Sequence, residues 1–489
     1  MGEVKHDGLV KSCLKLLGLF ALVRLVTLPF PALVDTTEGR YAAIAREMLI
    51  RADWIMPYIP MPTGWTAYWG KPPLYFWASA ASIGVFGANE FAVRLPCFLA
   101  AVFMCYCTWL VARRFFNARV AGLSSVILCT SGFFFFLSGS CIVDFTLAAF
   151  VTGVMAFSAG TLMSHETGSR KEVWLAAVFL AAAVLTKGLI ALVLCGGAIF
   201  FWLLLIRKFK PLTLLPWFSA GLVFLLLAVP WFIAAEKTNP GFLHYFFVNE
   251  HFLRYITPNY EDRYGVGHVY AYGSSLVLML LAFMPWTFVL AWVLRRAEVW
   301  RELKNYPQRQ ALLYCICWGL FPALFFSVAR QLTPLYILPG LPGVAILLAV
   351  IFEKGLQRNA ELLLRAAFVL LLLYGVVLPG ASMMFVSGRR STGPVMAAVR
   401  EQLRAEGSID TELRQIGMVF GKPFSAYFYD DHSSAAGIEA VPVEPGDILS
   451  SGLKELIVRQ NRLKDLPPEV VRAFRQEKMV GWYAWLRRG

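Results

Sequence analysis

The sequence predicts a polytopic α-helical membrane protein with a small extracytoplasmic α/β domain at its C-terminal end. Three observations predict it. Of 489 residues, 58% are hydrophobic and 16% charged, where a soluble domain has about 45–50% and about 25%. Apolar runs recur along most of the chain, each near the ~20 residues a helix needs to cross a bilayer. From residue 388 the composition turns to that of ordinary soluble protein.

The apolar runs lie at 14–34, 92–112, 119–138, 144–163, 173–186, 189–206, 213–235, 272–294, 311–328, 334–352 and 366–386, with 74–88 as a further candidate. About 11–13 transmembrane helices are therefore expected. The first run follows lysines and lacks the short core and A-x-A-like site of a cleaved signal, so it is expected to remain as a span. Every second connection is basic. The clusters are Lys5, Lys11 and Lys15; Arg113, Arg114 and Arg119; Arg170 and Lys171; Arg207, Lys208 and Lys210; Arg295, Arg296, Arg301, Lys304 and Arg309; and Lys354, Arg358 and Arg365. The short connections between them hold little beyond Lys187 and Arg330. Positive residues mark the cytoplasmic side, which assigns that side to the N-terminus and these clusters. The net charge of +14 is then a topology signal, and no nucleic-acid partner is implied.

The same alternation puts the long connections 35–91 and 236–270, and the last hundred residues, on the outer face. The expected domains are a membrane domain over 1–387, with those two outer loops, and a periplasmic α/β domain over 388–489. In the latter, TGPVMAAVREQLRAEG reads as an amphipathic helix and IGMVFG, SAYFYD and IEAVPV as strands. PPEVVRAFRQEK reads as a proline-initiated helix and VGWYAWL as a final strand. The nine cysteines lie in or beside apolar runs, and the two C-x-C pairs fall on helices, where positions i and i+2 do not face each other. Packing, rather than a disulfide framework or zinc site, is their reading. Neither a P-loop nor G-x-G-x-x-G occurs, which removes the simplest route to nucleotide-driven transport.

Residues with chemistry gather on the outer face. Asp35 and Glu38, in DTTEGRYAAIAREM, share one face if residues 35–50 are helical. Two carboxylates in a partly desolvated place suit general-base work, and equally acids at a helix start offset its macrodipole. Arg40 and Tyr41 follow directly. Lys71, in YWGKPPLYFW, is held extended by the prolines after it and is surrounded by Tyr68, Trp69 and other aromatics. That places an ammonium at headgroup level, either as a phosphate holder or as a snorkelling lysine in an aromatic belt. Asp144 opens a span, where an acid is costly unless solvated or paired. The loop GFLHYFFVNEHFLRYITPNYEDRYGVGH contributes Glu250, His251, Arg254, Arg263 and His268. Its arginines suit phosphate or developing charge. Glu250 beside His251 lacks any metal-ligand spacing, so no metal or other cofactor is expected. Tyr336 lies near the outer start of a span, as an aromatic wall or as packing. Carboxylates and aromatics suit sugar hydroxyls, and Lys with Arg suits a phosphate. Outside the cytoplasm an activated sugar has to arrive on a lipid phosphate, so these residues point to lipid-linked glycosyl transfer.

The order of motifs is familiar. D-T-T-E-G-R-Y-A-x-I-A-R-E-M, D-W-I-M-P, W-G-K-P-P-L-x-F-W and F-G-A-N-E-F-A-V-R-L-P resemble the first outer loop of the bacterial aminoarabinose transferases. Those belong to the protein-mannosyltransferase-like (GT-C) membrane glycosyltransferases. S-G-S-x-x-x-D, T-K-G-L, N-E-H-F-x-R-Y, D-R-Y-G-x-x-H and L-x-P-x-Y-x-L-P-x-L-P extend the resemblance to about residue 350. It implies a GT-C fold in the bacterial inner membrane and an undecaprenyl-phosphate sugar donor, typically of 4-amino-4-deoxy-arabinose. Lipid A is the typical acceptor. By position it implies catalytic acids at Asp35 or Glu38 and at Asp144. It also implies phosphate contacts at Lys71 and at Arg254 or Arg263, and an outer-loop tyrosine at Tyr336. Thr37 stands where the usual D-E-x-R-Y has aspartate, and W-G-K-P replaces the usual E-K-P. The same chemistry on a protein or surface-glycan acceptor is the alternative. A lipid or solute transporter is disfavoured because charge within the spans is scarce, Arg24 being the main case, and no inverted repeat is visible.

Overall fold

The computed structural model describes residues 2–61, 64–163, 169–209, 212, 215–257, 261–266, 269–329, 331–355, 360–381, 391–409 and 411–489. Among these, six helices are long and apolar enough to cross a membrane: Glu90–Phe115, Val143–Met163, Trp217–Thr238, Arg309–Ser327, Pro334–Gly355 and Ala360–Gly380. A seventh crossing is a broken pair, Ser274–Ala282 and Trp286–Val293, bent by 99°. The break holds Pro285, which has no N–H to continue the ladder. The protein is a multi-span membrane protein. The other expected runs also fold as helices, but shorter or more charged ones: Gly2–Thr27, Ala118–Thr130, Arg170–Lys187 and Ile190–Ile206. The 119–138 run is not one span. Ser131 turns extended (φ −65°, ψ 128°) between Ala118–Thr130 and Gly132–Leu137, and its hydroxyl donates back to Ile127 O at 2.6 Å. All nine cysteines are buried thiols.

The chain divides into two compact units, one of residues 1–26, 69–75 and 96–374 and one of residues 27–68, 76–95 and 375–489. The first unit holds most of the helical membrane body. Its helices Arg170–Lys187 and Ile190–Ile206 are joined at Gly188, whose φ of 86° favours glycine. After the helix Trp217–Thr238 the chain enters a wide, π-helical segment, Tyr245–Leu253. Such segments are rare and cluster at functional sites.

The second unit contains the helix Thr37–Arg51, an antiparallel hairpin (Tyr58–Met61 with Gly64–Ala67) and a five-stranded mixed sheet. Strands Gly437–Val443, Leu413–Val419 and Glu455–Arg459 run parallel, and Tyr483–Arg488 and Phe474–Val480 complete the sheet antiparallel. Alternation sets the two faces of the sheet. Ile457 packs with Val395, Met396 and Val399 of the helix Gly393–Ala405. Its neighbours Leu456 and Val458 pack on the opposite face with Val470 and Phe474. Three readings of the sequence need correcting. SAYFYD is a helix, Phe424–Tyr429, begun after Pro423 and burying Ser425, Ala426 and Phe428. Its aromatics favour a strand locally, and tertiary packing overrides that preference. The proline-initiated helix stops at Ala473, and RQEK enters the strand Phe474–Val480. Glu455–Arg459 is a central strand that the pattern of the sequence did not reveal.

Candidate active site

In the first unit, Lys71 sits between the Trp69 backbone and the prolines that precede the helix Leu74–Phe86. Its ammonium donates to Gly70 O at 2.5 Å and to Glu250 Oε1. The π-helical turn presents Glu250 to this lysine and to Arg254 at once. Arg254 Nη1 donates to both carboxylate oxygens, at 3.0 and 2.9 Å. Burial alone would raise Glu250. The two cations beside it prevail and hold its pKa at about 2, against the usual 4.5. A carboxylate so held stays ionised at any physiological pH and fixes two cations side by side.

A second ion pair completes the site. Lys187 ends the helix Arg170–Lys187 and donates to Asp144 Oδ1 in the first turn of Val143–Met163. The Lys187 ammonium lies 4.2 Å from the centroid of the Tyr336 ring, a cation–π distance. Tyr336 is presented by the tight turn Pro334–Gly340. His251 is clamped between two carbonyls, with Nδ1 2.7 Å from Phe246 O and Nε2 3.1 Å from Lys187 O. A neutral imidazole can donate to only one of them, and burial pushes its pKa below the usual value. Gly188 makes this clamp possible, since a Cβ there would fall 2.5 Å from His251 Nε2. Lys71, Lys187, Glu250, His251, Arg254 and Tyr336 all line one cavity of about 90 Å³. Asp144, Lys187 and Tyr336 line a smaller lobe as well. Three cations face two carboxylates here, so the cavity suits a singly charged anion.

Trp69 and Arg263 are not among the residues that line this cavity, and they pack on each other. The Arg263 guanidinium lies 4.6 Å from the Trp69 ring centroid, and Trp69 N donates to Tyr264 Oη at 2.7 Å. Arg263 is thus engaged on an indole, whereas Arg254 is the arginine at the cavity. His268 lies outside the described residues. Among the described residues no group of three or more His, Cys, Asp or Glu is placed to hold a metal ion.

The other expected residues belong to the second unit. Asp35 precedes the helix Thr37–Arg51 instead of opening it, so the expected shared helical face with Glu38 does not form. Asp35 accepts from Ser425 N at 2.8 Å and from Ser425 Oγ at 2.5 Å. Burial prevails over these donors and raises its pKa to about 6. Gly39 is required beside it, because a Cβ there would meet Asp35 Oδ1 and lie 2.8 Å from Ser425 N. Glu38 takes a two-pronged grip from Arg94, at 3.2 and 3.0 Å, and accepts from Val34 N at 3.2 Å. Arg94 also donates to Leu28 O and Pro31 O, at 2.9 and 2.6 Å. The arginine of F-A-V-R-L-P therefore ties the 28–38 turn to Glu38. Arg40 lies over the Tyr41 ring, and Tyr41 and Tyr68 pack edge-on against Phe76.

Sequence reasoning missed Lys187 as a site residue. Its signals were present in T-K-G-L and in its isolation within an otherwise uncharged connection. A long-range network also went unseen. Arg46 donates to Asp430 Oδ1 at 3.4 Å, His432 bridges Asp430 and Glu47 at 2.5 and 3.0 Å, and Lys422 pairs with Asp430. The two carboxylates push His432 up to about 9. Nothing local in the sequence marks partners so far apart.

Residues 70–233 match the family described as dolichyl-phosphate-mannose-protein mannosyltransferase. The chain is 30% identical over 371 residues to an undecaprenyl phosphate-alpha-4-amino-4-deoxy-L-arabinose arabinosyl transferase of Erwinia tasmaniensis, covering 73% of this chain and 63% of that protein. A relative of the same name from Sodalis glossinidius is 30% identical over 378 residues, covering 75% and 64%. The chain thus spans less than two thirds of the length of these curated relatives. In fold it is similar to the crystal structure of ArnT from Cupriavidus metallidurans bound to undecaprenyl phosphate, with a TM-score of 0.77, 21% identity and 97% of each chain covered.

Proposed function

The chain is an aminoarabinose-transferase-like member of the GT-C membrane glycosyltransferases, and from that premise we propose that it moves a sugar from a polyprenyl phosphate, such as undecaprenyl phosphate, to lipid A or another extracytoplasmic acceptor. The observation that carries the proposal is the cavity where Glu250 holds Lys71 and Arg254 side by side, next to the Asp144–Lys187 pair and Tyr336. Two fixed cations there match a lipid phosphate, and the similarly folded protein crystallised with undecaprenyl phosphate supports that ligand.

In this reading the acceptor oxygen attacks the anomeric carbon from the face opposite the phosphate. The bond from that carbon to the phosphate oxygen breaks with inversion, and polyprenyl phosphate leaves with the bonding electrons. Lys71 and Arg254 meet the charge that develops on the leaving phosphate, where preorganised cations act most strongly. Asp144, held by Lys187, orients the sugar. Glu250 and His251 keep the cations and the Lys187 carbonyl in register, and Tyr336 supplies an aromatic wall. An acceptor phosphate is already ionised and needs only positioning. A hydroxyl acceptor needs a base, and Asp35, raised to about 6, is better suited to that than Glu38 in the grip of Arg94. Glu38 and Arg40 then shape the turn that carries Asp35, with Tyr41 and Tyr68 as its packing. Arg263 packs on Trp69, away from the cavity lining.

The domain reading keeps a transmembrane transferase domain over 1–387 and a periplasmic domain over 388–489. The protein is placed in the bacterial inner membrane, with the N-terminus cytoplasmic and both the active site and the C-terminal domain periplasmic. The basic alternation of the connections supports that orientation. Mass spectrometry of lipid A from the host, with and without this gene, tests the acceptor. Loss of a pentosamine- or hexosamine-sized mass is expected on deletion. If lipid A is unchanged while the gene is expressed, the lipid A assignment falls and glycoproteins and surface polysaccharides become the acceptors to examine. Failure of the purified protein to consume any undecaprenyl-phosphate sugar would overturn the reaction itself.

A further inference from the structure

A second cavity, of about 490 Å³, opens among the helices Val143–Met163, Arg170–Lys187, Ile190–Ile206 and Trp217–Thr238. Its walls are almost wholly aliphatic and aromatic, among them Ala177, Ile199, Leu203 and Phe224. It does not belong to the site described above. Asp144 and Leu162 lie 18 residues apart on one helix, which at 1.5 Å per residue puts them about 27 Å apart. The cavity extends from Leu192 to Leu162, Val173 and Trp217, and these last three lie at the ends of their helices away from Asp144 and Lys187.

The glycines of these helices show that the space is built. Gly153 and Gly197 are packing glycines, where a Cβ would collide with Phe179 and Phe321 respectively. Close approach is the usual task of glycine in membrane helices. Gly196 and Gly221 line the cavity and differ, since a Cβ at either would meet nothing within 4 Å. They leave a hollow where larger side chains would fit.

The rim at that end is cationic. Arg170 and Lys171 open one helix, and Arg207 and Lys208 follow the end of another. All four are exposed. Glu172 beside them is occupied by Arg114 at 2.5 Å. An apolar slot under a cationic rim matches a lipid with an anionic headgroup, whose phosphate stays at the interface while one chain enters the slot. A donor lipid held by Lys71 would enter from the opposite end, where its phosphate is bound.

We propose that this slot binds one acyl chain of an anionic phospholipid of the leaflet opposite the candidate active site, with its headgroup at Arg170, Lys171, Arg207 and Lys208. The test is native mass spectrometry of the full-length protein, stripped of lipid in detergent and titrated with phosphatidylglycerol, phosphatidylethanolamine or undecaprenyl phosphate. The wild type is expected to retain one phosphatidylglycerol at least tenfold more tightly than phosphatidylethanolamine. Gly196→Leu with Gly221→Leu fills the slot, gains helix propensity, and should lose that one lipid while keeping undecaprenyl phosphate. Arg207→Ala with Lys208→Ala, on the exposed rim, should bring the two phospholipids to parity. Unchanged phosphatidylglycerol binding by the filled variant overturns the proposal, as does its displacement from the wild type by undecaprenyl phosphate. Equal wild-type affinity for the two phospholipids overturns it too.

Discussion

Replacing Glu250 by glutamine asks whether this carboxylate holds the cations of the site or merely occupies them. The fall of its pKa from 4.5 to about 2 is the net result of burial, which raises it, and of Lys71 and Arg254, which favour the charged form and prevail. At roughly 1.36 kcal/mol per tenfold change in acidity, that is about 3 kcal/mol. Glutamine keeps the shape and one acceptor oxygen, so part of this is retained. What is lost is the force that keeps an ammonium and a guanidinium adjacent against their mutual repulsion. We expect E250Q to bind undecaprenyl phosphate about 10–100-fold more weakly, or about 1.4–2.7 kcal/mol. Tryptophan fluorescence titration of the protein in nanodiscs would measure this. The sign of the pH effect follows from the depressed pKa. The contribution of Glu250 is complete above the unfolded value of 4.5 and is lost only as pH falls through about 2. Wild-type binding should therefore show no loss from this group between pH 8 and pH 5. Equal or tighter binding by E250Q would refute the reasoning. It would mean that the carboxylate stands in for the ligand's charge and that the cations need no holder.

Lys187→Met leaves the buried Asp144 without its ion-pair partner and should destabilise the protein by about 3–5 kcal/mol. Adding Asp144→Asn should recover part of that, which thermal unfolding of the two single variants and the double variant would read. Gly188→Ala puts a methyl into the His251 ring at a φ of 86°, and at least about 1–3 kcal/mol of strain is expected. A variant with an unchanged melting temperature would show that the clamp yields freely. His432, raised from 6.5 to about 9, contributes stability that is complete below pH 6.5 and is lost as pH rises through about 9. The gap in melting temperature between wild type and His432→Gln should therefore close between pH 7 and pH 10. A constant gap would assign the effect of this side chain to packing instead of charge.

Much of the fold was legible because its signals are local. Apolar runs, basic connections and the change of composition near residue 388 each lie within a short window, and the helix Thr37–Arg51 falls where the pattern put it. Lys71, Asp144, Arg254 and Tyr336 stand out in the sequence as charges or aromatics at the ends of apolar runs, and the structure brings all four to one cavity or its lobe. The failures have a common cause in distance. Asp35 and Glu38 look like a pair because they are three residues apart, yet their partners are Ser425 and Arg94. The extra residue per turn that aims Glu250 at Lys71 belongs to a π-helical segment, which no spacing rule anticipates. SAYFYD folds as a helix because of what it packs against, and Lys187 carries no weight until the fold sets Asp144 beside it.

The contact of Asp35 with Ser425 also bears on how the protein is made. The two residues are 390 positions apart, and at about 5–20 residues per second a ribosome needs on the order of 20–80 s to travel from one to the other. Throughout that interval Asp35, Arg46 and Glu47 have emerged, while Ser425, Asp430 and His432 do not yet exist. The segment that carries the helix Thr37–Arg51 gains these partners only once the residues up to His432 are translated. Chains that stop short of residue 422 leave those groups stranded. Pairing of the helix Thr37–Arg51 is therefore tied to translation through at least residue 432.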